Sequence, residues 1–517
     1  KCLLVNHHSS VSELRLKVTS IISLLLLESA KMLKRNKRAR VDVSKAVEAT
    51  ATATTTTAAK RLRPKGISSC VPSPSLEAAR LRGITEMAKY FQEQAGSAIG
   101  GRKWFTHFET WLWSSRMHSS LHNEGAPLPV SVWPFIGGSK IVEEADHDIE
   151  LLRKLERAGL GSSDARALSG RLVTRARAVR DTAEDGNRGQ AESSGVTVSR
   201  RTEACPAGTI GPSTLALVEL SCGEMTVKCS EAHFSKLRLM YDATQMEKAD
   251  GGANRDKNFH ASVYCVLARI LALQGGHEKA GGNQAACPPA VFSCLRSEIG
   301  LDAELFASPL NTTILAENEG VRPTFCSAAG DVDAAFGSVG SCFACRPRRG
   351  CFFVNPPFVE DVAAACVAHL MSRLKAAQAR GAPLTFVVVL PRWPESAAWQ
   401  ALASSSPPPP PSSKSTAATH PESSGSGGGG CRARTTAVTG ANGCRTTTLT
   451  LLRDAHGYME GAQHYRAGAW RFPANHDSTV FVLQSPAAVR TKPFTAKMEK
   501  HLREAFRTPP PVAAAER

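Results

Sequence analysis

The sequence has few aromatic residues, no long apolar run and a low density of cysteine. Aromatic side chains make up 6% of the 517 residues. The nearest approach to a membrane span, Ile21–Leu27, is far shorter than the roughly 20 apolar residues that cross a bilayer. Fifteen cysteines are too sparse for a disulfide scaffold in a chain of this length. We therefore expect reduced thiols and no membrane partner.

Metal ligands at zinc-finger spacing are also missing. Cys342 and Cys345 are two residues apart and Cys351 is close by, but no second pair of ligands follows at a finger-like distance. Cys351 also opens a predicted buried strand. We expect these thiols to be small apolar core residues, and we expect no metal site.

Positive charge is concentrated near the start of the sequence. Lys and Arg number 63 against 46 Asp and Glu, a net charge of +17, and residues 31–65 contain eleven basic and two acidic residues. A basic excess favours a polyanionic partner. The clusters at 34–40 and 60–65 are typical of nuclear import signals, with an RNA-binding arm or a solvated tail as alternatives. We predict a nuclear protein with a disordered segment over residues 1–75.

Apolar periodicity predicts the organisation of the remaining residues. Residues 76–300 are mainly helical in pattern, with a hairpin at 215–228 and an exposed connection at 181–213. Strands and helices then alternate, which predicts an α/β domain over 301–490 with a parallel sheet. A low-complexity insertion is predicted at 404–441, and the tail over 491–517 is expected to carry little. The predicted strands are 303–308, 323–327, 351–355, 384–390, 446–452 and 478–484.

One predicted helix carries a row of aromatic residues. Trp104, Phe108 and Trp111 recur at helical spacing and share one face. Stacking on a nucleic-acid base is one interpretation, because Arg102 and Lys103 are adjacent. Burial in the protein core is the interpretation that we favour.

The most informative stretch is a strand that ends in Asn355, Pro356, Pro357 and Phe358. Proline cannot lie inside a central strand, so the strand stops at Asn355, at an edge of the sheet where ligands bind. Asn355 and Pro356 offer carbonyl oxygens, and Phe358 offers an aromatic face. This combination suits a planar ring with an exocyclic amine, such as adenine or cytosine. The residues therefore indicate an amino-methyltransferase, although an Asn-Pro-Pro sequence is also a good surface turn.

Several separated motifs flank this turn in a specific order. Residues 304–311 (ELFASPLN), 325–338 (FCSAAGDVDAAFGS), 386–393 (FVVVLPRW), 461–465 (GAQHY) and 478–484 (STVFVLQ) accompany it. Together these motifs resemble the phosphorylated-CTD-interacting factor family of cap-specific mRNA adenosine N6-methyltransferases, over residues 215–484. The resemblance implies a Rossmann-like class I methyltransferase domain preceded by a mainly helical domain.

The resemblance also implies a cofactor, a substrate and site residues. The cofactor is S-adenosyl-L-methionine, and the substrate is the 2'-O-methyladenosine next to the cap of capped mRNA. Asn355, Pro356, Pro357 and Phe358 are the expected catalytic residues. No Gly-x-Gly-x-Gly loop follows the first strand, so the cofactor pocket is expected from two other segments. Its residues are Ser308, Pro309, Asn311, Asp331, Asp333, Phe336, Gly337 and Ser338.

The sequence departs from this family at two points. No Trp pair with a trailing proline at WW-module spacing is found, which puts the RNA polymerase II C-terminal tail in doubt as a partner. The basic loop expected after the fourth strand is replaced by the insertion, leaving Arg392, Arg445 and His464 as RNA-binding candidates, together with Arg432 and Arg434. A catalytically silent RNA- or polymerase-binding scaffold, and an N6-adenine methyltransferase acting on internal RNA or DNA, remain alternative functions.

Overall fold

The computed structural model describes most of the chain after residue 72. All of the described residues belong to one compact unit, Thr57–Arg517. The described ranges are 73–95, 104–121, 149–189, 195–205, 214–245, 252–276, 285–313, 324–403, 435–439, 443–459, 465 and 471–507. The import signals lie outside these ranges, and so does the predicted disordered segment up to residue 72; its last two residues, 74 and 75, begin the first helix.

The helices fall into an N-terminal group and a group that accompanies the main sheet. The first group is α1 (Pro74–Ala95), α2 (Trp104–Leu121), α3 (Ile149–Arg157), α4 (Ser162–Gly189), α5 (Glu231–Gln245) and α6 (Gly252–Leu273). The second group is α7 (Pro289–Ile299), α8 (Gly330–Asp333), α9 (Glu360–Ala379), α10 (Ala397–Ala403), α11 (Pro486–Thr491) and α12 (Ala496–Phe506). None of these described helices combines the length with the apolar character that a membrane crossing needs.

The strands form three sheets. A three-stranded sheet contains β1 (Thr197–Ala204), β2 (Thr214–Cys222) and β3 (Met225–Ser230). The main sheet contains β4 (Ala303–Ala307), β5 (Phe325–Ser327), β6 (Gly350–Val354), β7 (Leu384–Pro391), β8 (Thr435–Thr439), β9 (Arg445–Leu451) and β12 (Ser478–Gln484). A two-stranded ribbon contains β10 (Gly457–Met459) and β11 (Arg471–Pro473). All six strands predicted from the sequence are present, within two residues of the expected bounds.

The main sheet is mixed, whereas the sequence predicted a parallel one. Its strand order is β5-β4-β6-β7-β12-β9-β8. Strands β4 to β7 are parallel, but β12 runs antiparallel to both of its neighbours, β7 and β9. A parallel connection needs a long crossover, usually a helix. Between β9 and β12 the described residues form the β10–β11 ribbon instead, and the chain returns in the opposite direction.

Helices cover both faces of this sheet. One face packs α9 and α10 against Phe352, Phe386 and Phe481. The other face packs α7 and α12 against Phe353 and Val387. Because side chains alternate along a strand, β6 and β7 are apolar on both faces, which explains their continuous apolar sequences.

The N-terminal helices enclose their own core. Phe108 and Trp111 of α2 are fully buried and contact the ring of Phe91 at centroid distances of 5.3 and 6.3 Å. The core interpretation of this aromatic row is therefore confirmed. The same core includes Phe325 and Phe336, so the helices pack directly on the β5 side of the main sheet.

The predicted hairpin is also present. It turns at Gly223, which has a positive φ of 57°, and Ser230 caps α5 by accepting a hydrogen bond from the backbone N–H of His233 at 3.2 Å.

Two strands lie where the sequence predicted irregular structure. β1 falls in the expected connection, and β8 falls in the expected insertion. Both are polar strands at a sheet edge, so neither shows the apolar alternation that marks a strand with one buried face. β1 is held partly by ion pairing, because Arg201 lies 2.9 Å from Glu219 on β2. The missing signal was thus apolar burial, which an edge strand does not need.

The C-terminal tail contributes more than the sequence analysis predicts. Phe494, Leu502 and Phe506 are fully buried in the core beneath the sheet. Gln484, the last residue of β12, fixes the start of this segment by accepting a hydrogen bond from the N–H of Phe494 at 2.9 Å. The tail therefore completes one helical layer as far as residue 507.

Candidate active site

A cavity opens where β4 and β6 end, at the carboxyl edge of the parallel strands. From β4 the chain passes to β5 on one side and later to β6 on the other, so this is the topological switch point of the sheet. Ligands bind at such points in open α/β sheets. The cavity is called here the Asn355 cavity. It is lined by Ala307 at the end of β4 and Asn311 beyond it, by Asn355 and Pro357 beyond β6, and by Trp113 from α2.

Asn355 lines the cavity and is held by one end of its amide. Its Nδ2 donates a hydrogen bond to the backbone carbonyl of Ala285 at 3.2 Å. Its Oδ1 is buried and has no hydrogen-bond partner within the described ranges. A buried acceptor without a partner is rare in folded proteins and calls for an explanation. The acceptor that the sequence analysis expected at this edge is thus present and unused.

Phe358 occupies a different environment from the one expected. It is half-buried beside three other rings, with centroid distances of 6.4 Å to Trp393, 5.9 Å to Tyr458 and 5.7 Å to His476. All three contacts are edge to face. The ring is not part of the lining of the Asn355 cavity. Burial lowers the pKa of His476, while Asp477 raises it.

The residues after β4 form a tightly bonded loop, called here the β4 loop (residues 308–313). Asn311 closes it, because its Oδ1 accepts hydrogen bonds from the N–H and the hydroxyl of Ser308 at 2.7 and 3.0 Å. Of the eight predicted cofactor residues, Asn311 is the one that lines the Asn355 cavity. The loop also carries Leu310, which is buried in the core of the N-terminal helices.

The second predicted cofactor segment, residues 331–338, follows β5 and is held by contacts other than those of the β4 loop. Both carboxylate oxygens of Asp331 accept from Arg269, at 3.1 and 3.0 Å. Phe336 is fully buried and Gly337 has a positive φ of 101°, which favours glycine. The hydroxyl of Ser338 lies 2.8 Å from that of Ser327. Asp333 is buried, with its backbone N–H bonded to Ala329 O.

The predicted RNA-binding residues are not all brought together. Arg392 follows β7 at the same edge as Asn355 and lies 3.3 Å from Asp477. Arg445 begins β9 opposite Gln484, which is in turn opposite Thr385 near the start of β7, so the length of the sheet separates it from that edge. His464, Arg432 and Arg434 lie outside the described ranges.

Sequence reasoning missed several residues at this site. Glu304 on β4 and Trp113 on α2 both line the cavity, as do Ala285 and Cys287 before α7. An acidic residue inside an apolar strand was a usable signal for Glu304. No local signal could identify the others, because they reach the cavity through packing between distant segments. Across the described part of the chain, no group of three or more His, Cys, Asp or Glu side chains is arranged to hold a metal ion.

Comparison with known proteins finds similarity in the segment that carries most of the residues lining the Asn355 cavity. The family profile described as "Phosphorylated CTD interacting factor 1 WW domain" matches residues 236–407. These residues are thus similar to the phosphorylated CTD interacting factor family, and they are called here the phosphorylated CTD interacting factor segment. The chain is also similar to two proteins named mRNA (2'-O-methyladenosine-N(6)-)-methyltransferase, from Mus musculus and Homo sapiens, each 37% identical over 174 residues. That alignment covers 34% of this chain and 22% of the length of each relative.

The phosphorylated CTD interacting factor segment begins within α5 and ends beyond α10. Although the profile's description names a WW domain, the matched residues here form helices α6–α10 and strands β4–β7. They include the β4 loop and Asn355. Trp113 lies outside the matched segment, so the cavity combines family residues with one from the N-terminal helices.

A half-buried lysine near the start of the phosphorylated CTD interacting factor segment, Lys236, fastens the β4 loop. The ammonium group of Lys236 donates to the carbonyls of Leu310 and Thr312, at 3.0 and 2.7 Å. Glu304 is bonded to the same loop, accepting from the Thr312 hydroxyl at 2.7 Å and the Thr313 N–H at 3.0 Å. Burial lowers the pKa of Lys236 to about 8, and Glu304 opposes this change. Burial raises the pKa of Glu304.

The lowered pKa predicts that stability depends on pH through Lys236. Below pH 8 the amine is charged in both the folded and the unfolded chain, and burying that charge destabilises the fold. Between about pH 8 and 10.5 the folded chain has lost the proton and the unfolded chain has not, so the free energy of unfolding rises with pH. Relative to Lys236→Met, the wild type should gain about 2–3 kcal/mol between pH 7.5 and 10.5. Urea unfolding of both proteins across this range measures the difference, and a constant difference would contradict the prediction.

Proposed function

We propose that this protein is an S-adenosyl-L-methionine-dependent methyltransferase that methylates N6 of the cap-adjacent 2'-O-methyladenosine of capped mRNA. The observation that carries the proposal is the buried Oδ1 of Asn355, an acceptor without a partner in the described ranges, at a cavity on the switch point of the sheet. The naming of two relatives as mRNA (2'-O-methyladenosine-N(6)-)-methyltransferase supports the same chemistry.

We infer that the main sheet and its helices form a Rossmann-like class I methyltransferase domain over residues 301–490. Four parallel strands with a switch point, and helices on both faces, support this assignment. We likewise propose that residues 76–300 form a helical domain that closes the β5 side of the sheet. Such a domain supplies Trp113 to the cavity.

In this proposal, Asn355 and Pro356 accept hydrogen bonds from the amine of the target base. The amine becomes more positive as it is methylated, so both acceptors bind it more strongly in the transition state than in the ground state. The amine then loses a proton to water, and the mechanism needs no general base. A base with a carbonyl in place of the amine leaves Asn355 Oδ1 facing another acceptor, which can reduce its reaction about 10⁴-fold.

The proposed cofactor is S-adenosyl-L-methionine, which supplies the electrophilic methyl group. Asn311 on the β4 loop and Asn355 line the same cavity, which supports binding of the donor beside the proposed acceptor. Ser308, Pro309, Asp331 and Asp333 are the further residues that we assign to cofactor binding. We assign Phe336, Gly337 and Ser338 to holding the turn that carries Asp331, because Phe336 is buried and Ser338 is bonded to Ser327.

Contacts with RNA are proposed on the same edge of the sheet. Phe358, with Trp393 and His476 beside it, offers aromatic surface for a base, and Arg392 offers a charge for phosphate. Arg445 and His464 remain candidates. The family description, which includes the phosphorylated CTD and a WW domain, supports the polymerase tail as a partner, and the basic clusters before residue 66 support nuclear localisation.

The decisive experiment measures transfer from a labelled methyl donor. Purified full-length chain is incubated with matched RNAs that are capped or uncapped and begin with 2'-O-methyladenosine or guanosine. We expect labelling of the capped adenosine RNA alone. Equal labelling of the uncapped RNA would leave the chemistry but remove cap dependence, and would favour internal RNA or DNA adenine as substrate. Labelling of no RNA would favour the silent scaffold.

A further inference from the structure

Trp113, which lines the Asn355 cavity, carries a second unused polar group. The side chain is 7% exposed and packs against Val359 and Val362, the residues that follow the Asn355 turn. Its indole Nε1–H is buried and has no hydrogen-bond partner in the part of the chain that the structure describes. Trp399 provides a comparison, because its Nε1 donates to the hydroxyl of Thr479 at 3.2 Å. A buried indole N–H normally finds such an acceptor, so Trp113 calls for one that the described residues do not provide.

The two unused groups are complementary to one edge of a nucleobase. Asn355 Oδ1 can only accept, and Trp113 Nε1–H can only donate. Adenine carries an amine donor at N6 with ring acceptors at N1 and N7 on either side. Guanine places the O6 acceptor where the amine of adenine would be, so it would face Asn355 with a second acceptor. Cytosine presents an amine beside the N3 acceptor, as adenine does, but it is a single ring.

We propose that Trp113 determines specificity by donating its indole N–H to a ring nitrogen of the target adenine while Asn355 accepts from the N6 amine. This inference rests on the proposed N6-methyltransferase function and deepens it. Adenine also occurs in the methyl donor, so the indole has two possible sources of the same acceptor. We assign it to the target, because it shares its cavity with the amide that the proposed chemistry directs at the target amine.

The test deletes the indole N–H and the ring nitrogens separately. Trp113→Phe retains an aromatic side chain and removes the donor. Capped RNAs begin with 2'-O-methyladenosine, its 1-deaza analogue or its 7-deaza analogue, in which one ring nitrogen is replaced by C–H. For the wild type we expect kcat/KM to fall about 10–100-fold on the analogue that lacks the bonded nitrogen. Trp113→Phe should lose a similar factor on the natural RNA and nothing further on that analogue.

Comparing the wild type with Trp113→Phe isolates the proposed hydrogen bond from the indole N–H to the ring nitrogen. A deaza ring also changes the reactivity of the amine, but this change affects both proteins equally and cancels in the ratio. Trp399→Phe is the matched control and should keep the wild-type response to both analogues. Cytidine-starting RNA tests whether ring size contributes, and we expect it to remain unmethylated by both proteins.

Three results would overturn the inference. Wild-type kcat/KM in Trp113→Phe would remove the indole N–H from recognition. An equal additional loss on both analogues would reduce Trp113 to a packing residue, and thermal unfolding of the variant checks its fold. A drop in affinity for S-adenosylhomocysteine without a change in the analogue pattern would assign the indole to the donor's adenine. Failure of the proposed function is distinguishable, because the wild type would then methylate no adenosine RNA at all.

Discussion

Replacing Asn355 by alanine should reduce methyl transfer about 10³-fold or more while leaving the affinity for S-adenosylhomocysteine nearly unchanged. The change removes the unpartnered Oδ1 of a residue that lines the cavity, and it also removes the hydrogen bond to Ala285 O that holds this side chain. The lost oxygen is the proposed acceptor for the amine of the target base, and the side chains of the β4 loop on the proposed cofactor side are unchanged. Single-turnover rates with labelled donor measure the loss of transfer, and calorimetry with S-adenosylhomocysteine measures binding.

Two further variants separate the role of the amide oxygen from general damage. Asn355→Asp keeps an acceptor oxygen but places a second oxygen against Ala285 O, so its rate should lie between those of the wild type and Asn355→Ala. Asn475→Ala changes an exposed asparagine beside His476 and should be fully active. Wild-type rates in Asn355→Ala would exclude the amide from the chemistry.

The strands and the turn at the site could be predicted because their signals are local. β6 and β7 are apolar on both faces. The two prolines that follow Asn355 end β6, so a short stretch of sequence determines both the strand and its end. The unused acceptor on Asn355 follows from the same stretch. The mixed sheet was not predicted, because strand direction depends on the connection that precedes β12 and not on its own residues.

The composition of the cavity could not be read from the sequence. Trp113 and Ala285 reach it from segments far from β6 in the chain, and only packing of α2 and the pre-α7 segment on the sheet brings them there. Phe358 shows the reverse effect. Its position after two prolines predicted an aromatic face for stacking, whereas Trp393 and His476 approach its ring from the segments after β7 and before β12. Local patterns therefore predict which groups a strand end offers, and tertiary packing decides which of them face the cavity.

Arg269→Met should lower the free energy of unfolding by about 3–5 kcal/mol, because Glu77 and Asp331 lose the cation that they share and Arg80 is then the cation that pairs with Glu77. Arg269 is 3% exposed and Glu77 is equally buried. The guanidinium donates to both oxygens of Glu77, at 2.8 and 2.6 Å, and also to Asp331 after β5. The network joins α1, α6 and the segment that carries the proposed cofactor residues. Urea unfolding of the full-length chain measures the change.

The chain offers a matched control for this prediction. Arg175 on α4 pairs with Glu86, which lies on α1 as Glu77 does, but both side chains of this pair are nearly half exposed. Arg175→Met should therefore change the free energy of unfolding by less than about 1 kcal/mol. Replacing Glu77, Arg80 and Arg269 together by methionine should recover part of the loss, because the buried carboxylate and both of its cations are then gone. Equal effects of Arg269→Met and Arg175→Met would show that burial of the Glu77 network adds nothing to stability. A smaller loss in the triple variant than in Arg269→Met alone would show that the cost arises from the buried charges left behind rather than from the missing guanidinium.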